Sequence, residues 1–106
     1  MGPLRRQLVE RIFDSIDQEK KGLIPVNQLM EHFNPNVIEY YQTGKMNREG
    51  IEEHFLSMLV ITENSLAKDE FIAFYDDTNI NYAHNDIFLR LVSNIWHYQP
   101  EHLKAV

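Results

Sequence analysis

The chain has 106 residues, 43% hydrophobic and 25% charged, with one Trp, five Tyr and six Phe, which suits one folded domain with a single core. A formal net charge of -6 excludes the concentrated positive field that nucleic acid or an anionic membrane requires, and favours a basic partner instead. No cysteine is present, so disulfides, thiolate metal sites and cysteine nucleophiles are ruled out.

No run of the sequence approaches the roughly 20 apolar residues of a membrane span. The start, MGPLRRQLVE, has no continuous apolar centre of the signal-peptide kind. A soluble, intracellular protein is therefore expected.

From Pro3 to Ile16 the apolar residues Leu4, Leu8, Val9, Ile12, Phe13 and Ile16 recur at helical spacing, which leaves Arg5, Arg6, Glu10 and Arg11 for a solvated face. Residues 17–28 follow, DQEKKGLIPVNQ. Asp17 and Glu19 stand at the first and third places of this stretch, Gly22 at the sixth, Ile24 at the eighth and Gln28 at the twelfth. That is the frame of an EF-hand calcium loop, whose oxygen ligands fall at places 1, 3, 5, 7, 9 and 12 around a turn at 6. Several ligands are missing from it. Lys21 puts a positive charge at place 5, Pro25 brings no side-chain oxygen to place 9, and Gln28 replaces the bidentate glutamate of place 12. A second helix is expected from Pro25 through Val26, Leu29, Met30 and Phe33 to Asn34-Pro35.

Such a helix-loop-helix unit has one apolar face and one loop strand to satisfy, so a second copy is expected. Phe13 and Leu29 are sixteen residues apart, and so are Phe55 and Phe71, which places a second loop at residues 59–70, LVITENSLAKDE, with an offset of 42. Asn64 takes the glycine place and Leu66 matches Ile24, so the two loops are expected to pair through Ile24 and Leu66. Glu63 and Glu70 are at places 5 and 12, but Leu59 and Ile61 fill places 1 and 3. The flanking helices are expected from Asn47 as N-cap through Ile51, Phe55, Met58 and Leu59, and from Ala67 through Phe71, Phe74 and Tyr75. A final helix opens at Asn81 or Asn85, carries Ile87, Phe88, Leu91, Val92, Ile95 and Trp96, and stops at Pro100.

The fold expected is all-α, a paired EF-hand lobe with an additional C-terminal helix. It divides into a first degenerate hand at 1–34, a linker at 35–46, a second degenerate hand at 47–77, a C-terminal helix region at 78–98 and a tail at 99–106.

The run EFIAFYDDTNINYAHNDIFLRLVSNIW, residues 70–96, resembles the end of the calcyphosin family. There an E-F-x-x-Y-Y run leads through a polar segment to a helix with a Phe eight residues before a Trp. Phe71, Phe74 and Tyr75 match the first part, and Phe88 and Trp96 keep the interval. The linker, with HFNPN, Gly44-Lys45 and Phe55-Leu56, is similar to the connection between the third and fourth hands of that family. The resemblance covers the C-terminal half of such a protein and implies a non-enzymatic, calcium-responsive intracellular protein, cytoplasmic or cytoskeletal, with relatives in cilia and flagella. This sequence departs from the family at the calcium ligands.

Two functional readings lead, with a structural piece of a larger cytoskeletal or axonemal protein as a third. The first is a calcium-independent protein-interaction module without a cofactor, binding an amphipathic helix or a basic segment through Met30, Phe33, Met58, Phe71, Phe74, Phe88, Leu91 and Trp96, which are equally candidates for the core. The alternative is a weak Ca²⁺ sensor or buffer using Asp17, Glu19, Gln28, Glu63 and Glu70. Catalysis is not expected. The five histidines form no i, i+4 pair, and neither a phosphate loop nor a nucleophile elbow is present.

Overall fold

Helix α1, Pro3–Ile16, begins with proline in its first turn, where the missing N–H costs nothing. The computed structural model describes residues 1–34, 44 and 47–98. After α1 come a loop, strand β1 (Leu23–Pro25) and a short helix α2 (Val26–Glu31). The second half repeats this order with α3 (Arg48–Ser57), strand β2 (Ser65–Ala67) and α4 (Lys68–Thr78). A 3₁₀ turn at Asn79–Asn81 then leads to α5, Asn85–Ile95. The described residues are thus mostly helical, with one two-stranded sheet. None of their helices is long and apolar enough to cross a membrane.

β1 and β2 run antiparallel, with Leu23 opposite Ala67, Ile24 opposite Leu66 and Pro25 opposite Ser65. Ile24 and Leu66 are both fully buried, so the sheet's inward side chains join the core, while Leu23 and Pro25 are exposed and Ser65 and Ala67 half-buried. Two further backbone bonds flank the pairing: Lys68 N–H donates to the Gly22 carbonyl at 3.1 Å, and Val26 N–H to the Asn64 carbonyl at 2.8 Å. The two loops are therefore tied at both ends of the sheet, not at one residue pair alone. Asn47 caps α3 by accepting the Gly50 N–H at 2.8 Å.

The core is aromatic at its centre. Trp96, Phe13, Phe33, Phe71 and Phe88 are all fully buried. The Trp96 ring lies 5.7 Å from Phe33, 5.5 Å from Phe55 and 5.5 Å from Phe71, tilted or edge-on to each. These are the separations and orientations that the ring quadrupole favours. Trp96 Nε1 donates to the Tyr75 hydroxyl at 2.7 Å, which satisfies the one polar atom that its burial would strand.

Several boundaries and faces differ from expectation. Pro25 closes β1 and Ala67 closes β2, so α2 and α4 begin one residue later, at Val26 and Lys68. α2 stops at Glu31, and Phe33 reaches the core from beyond the helix. α3 ends at Ser57, so Leu59 is buried from the loop and Met58 is 49% exposed. On α5 the buried face is Phe88, Leu89, Val92, Ser93 and Ile95, whereas Ile87 is 52% exposed and Leu91 half-buried. The largest departure is on α1, where Leu4 is exposed and Arg5 is buried. The linker expected at 35–46, apart from Gly44, and the tail at 99–106 lie outside the described residues.

Candidate functional site

Loop 1 leaves α1 at Asp17, which is buried and closes the loop on itself. Its Oδ2 accepts the Gly22 N–H at 2.8 Å and its Oδ1 the Lys21 N–H at 3.2 Å, the local bonding by which aspartate builds a turn. Gly22 sits at φ +76°, a conformation that costs glycine little. Glu19 and Lys21 pair with each other, Nζ to Oε2 at 2.6 Å, on the exposed rim. The hydrogen bond that it donates to Glu19, then the charges of Glu19 and Asp17, hold the Lys21 ammonium above the ordinary lysine range. Gln28 turns away from the rim to donate its Nε2 to the Ile16 carbonyl at 2.7 Å, so it caps the end of α1. Asp17, Glu19, Lys21, Leu23, Pro25, Gln28 and Ser65 line one open hollow over this loop.

A calcium ion takes six to eight oxygens, several of them carboxylates. The donor set here does not fit it. Of the two carboxylates in the hollow, one is bonded to two backbone amides and the other to an ammonium, and Pro25 offers no side-chain oxygen.

Loop 2 has collapsed into a tighter form. Leu59 is buried and Ile61 packs against the core, so places 1 and 3 of the repeat are hydrophobic contacts. Thr62 and Ser65 exchange both backbone hydrogen bonds at 3.0 Å around Glu63 and Asn64. Those two residues have φ of +53° and +62°. Positive φ at both central positions is the mark of a type I′ turn, whose twist matches a β-hairpin. Glu63 is exposed on this turn and Glu70 is half-buried in the first turn of α4. The residues considered for metal are thereby divided, with Asp17, Glu19 and Gln28 in loop 1 and Glu63 and Glu70 in loop 2. Among the described residues no group of three or more His, Asp or Glu converges as a metal site would require.

The apolar candidates are brought together far better. Phe33, Phe71, Phe88 and Trp96 are buried, and Met30, Phe74 and Leu91 pack against them partly buried. Met58 stands apart, half exposed at the end of α3. The groove that α1, α3 and α4 would present is filled by α5 and the Trp96 that follows it, through Phe88 against Tyr75 at 6.2 Å and Trp96 against Phe33, Phe55 and Phe71.

Arg5, placed by charge on the solvated face, holds the start of α5 instead. Its Nε donates to Asn85 Oδ1 at 2.7 Å, one terminal nitrogen to the Asn79 carbonyl at 2.9 Å and the other to the Tyr82 carbonyl at 2.8 Å. Its guanidinium carbon lies 4.8 Å from the centre of the Phe88 ring. The available signal was positional: Arg5 precedes Leu8 and Val9 by three and four residues, on the same helical stripe. The far end of α5 is held by Asn34, whose N–H donates to the Ile95 carbonyl at 2.7 Å. No protein-family model matches the chain, and a search of curated proteins returns no significant match.

Proposed function

We propose that this chain is a non-catalytic interaction module built on a degenerate pair of EF-hands, which binds a helical segment of another protein without calcium. One observation carries the reading furthest. Two helix-loop-strand-helix units are paired back to back through Ile24 and Leu66, as a calcium-binding lobe requires, while the ligand places hold an ammonium, a proline and two core hydrophobics. The geometry of the loops is kept and their chemistry is replaced. The Glu19–Lys21 pair and the type I′ turn give each loop a closed form that needs no ion. The resemblance of residues 70–96 to the calcyphosin family agrees with this reading and extends it to a cytoskeletal or ciliary setting. The net charge of -6 favours a partner helix with a basic outer face, because long-range attraction raises the rate of encounter.

Calorimetric titration of the metal-free chain with calcium is expected to give no heat of binding at micromolar ion. Binding in that range, abolished in Asp17→Ala, would establish the alternative of a calcium sensor or buffer. Introducing Lys21→Asp together with Gln28→Glu restores two ligand places and is expected to produce binding at about 10⁻⁴–10⁻³ M, the weak end of such loops.

A further inference from the structure

α5 is an amphipathic helix seated in an apolar groove, the arrangement by which one protein commonly takes a helix from another. Its two ends are held differently. At the C-terminal end the contact is aromatic and complete, with Trp96 enclosed by Phe33, Phe55 and Phe71 and hydrogen-bonded to Tyr75. At the N-terminal end a buried cation, Arg5, is satisfied by two backbone carbonyls and two amide side-chain oxygens, with no carboxylate among these acceptors. Burying a guanidinium against neutral oxygens forfeits hydration that those oxygens only partly replace. A carboxylate in the same place would form the shorter, charge-assisted and bidentate bond that guanidinium prefers.

We propose, resting on the reading of the chain as an interaction module, that α5 is a displaceable internal ligand and that Arg5 selects what replaces it. The replacement is an amphipathic helix of a partner protein that carries two aromatic residues eight positions apart, the spacing of Phe88 and Trp96, and a carboxylate three residues before the first, where α5 has Asn85. The aromatics fill the pockets that α5 now fills, and the acid meets Arg5 with the charge that Asn85 lacks. The N-terminal end of α5 opens first, because beyond the buried Phe88 its first turn is held, among the described residues, only by the neutral bonds to Arg5.

The test uses the full chain, with substitutions at Asn85, an exposed position that leaves no cavity. Hydrogen exchange of the α5 amides is measured in the native chain, in Asn85→Ala and in Asn85→Asp. Exchange about tenfold faster in Asn85→Ala and slower by a similar factor in Asn85→Asp is expected, a factor of ten being the worth of one charge-assisted hydrogen bond. The amides of α1 and α4 should not change. In a second arm, fluorescein-labelled peptides of residues 84–98 carrying Asn85→Asp or Asn85→Ala are titrated into the Asn85→Ala chain and followed by anisotropy. The acidic peptide is expected to bind at least about tenfold more tightly.

If α5, α1 and α4 exchange in one step in every variant, α5 is an inseparable part of the core and the proposal fails. Equal affinity of the two peptides would remove Arg5 as the selecting residue. Concentration-dependent dimers of Asn85→Ala in sedimentation would make a second copy the occupant and overturn the partner helix. Calcium binding by the native chain would count against the calcium-independent module alone and leave the exchange result standing, so the two failures are distinguishable.

Discussion

Arg5 and Tyr75 show how two polar side chains specify the placement of a helix that apolar contacts alone would leave free to slide. The guanidinium fork reaches Asn85, Asn79 and Tyr82 at once, a geometry that a single ammonium cannot reproduce. Arg5→Lys keeps the charge and loses the fork, so it is expected to cost about 1–3 kcal/mol, seen as a lower midpoint in urea with an unchanged slope. Tyr75 responds to pH. Burial pushes its phenol far above the ordinary tyrosine value, against a smaller opposing pull from the Trp96 hydrogen bond. The unfolded chain ionises this group near pH 10 while the folded chain resists. Its contribution is therefore complete below about pH 10 and falls as pH rises beyond it, because the unfolded state then binds fewer protons. Tyr75→Phe is expected to cost about 1–3 kcal/mol at neutral pH, since Trp96 Nε1 loses its acceptor. Urea titrations of both proteins between about pH 7 and 11 should show that gap narrowing as the native protein loses stability. Neither role was legible beforehand. The stripe it shares with Leu8 and Val9 sets Arg5 apart from Arg6, which stays on the surface beside Glu10, but its acceptors lie 74 to 80 residues further along the chain, where no local pattern points.

At the scale of elements, periodicity placed the helices and the offset of 42 residues placed the sheet, because both follow from patterns that a pleated or helical surface enforces. The interior of loop 2 was less legible. Asn64 at φ +62° has the left-handed conformation expected of the glycine place, but Glu63 shares it at +53°, and the pair makes a hairpin turn where a twelve-residue ion loop was the template. The replaced ligands account for the difference. With Leu59 and Ile61 drawn into the core, the chain between them and β2 is short enough to close by direct hydrogen bonds. The two loops should then answer backbone substitutions with opposite signs. Glu63→Gly relieves a left-handed side-chain residue and is expected to stabilise by about 0.5–1 kcal/mol. Gly22→Ala imposes that strain and is expected to cost about 1–2 kcal/mol, although no atom lies within 4 Å of the added carbon. Thermal unfolding of the two variants beside the native protein provides the measurement.

For the molecule as a whole, the aromatic cluster links parts of the chain that are remote in sequence, with Trp96 meeting Phe33, Phe55 and Phe71 in one place. Trp96→Ala is expected to cost about 3–5 kcal/mol, a large share of the 5–15 kcal/mol available to an ordinary domain. The loss should appear in a thermal melt as a midpoint lowered by many degrees. Trp96 also determines when the domain can finish forming. A chain synthesised at about 5–20 residues per second has Phe33 in hand for several seconds before residue 96 is made. Once residue 55 has been made, the rings of Phe33 and Phe55, 4.9 Å apart in the finished fold, are both present without the indole that closes over them. A nascent chain of this protein therefore displays its aromatic surface before it possesses the helix that covers it, and any factor that attends it on the ribosome meets the open groove first.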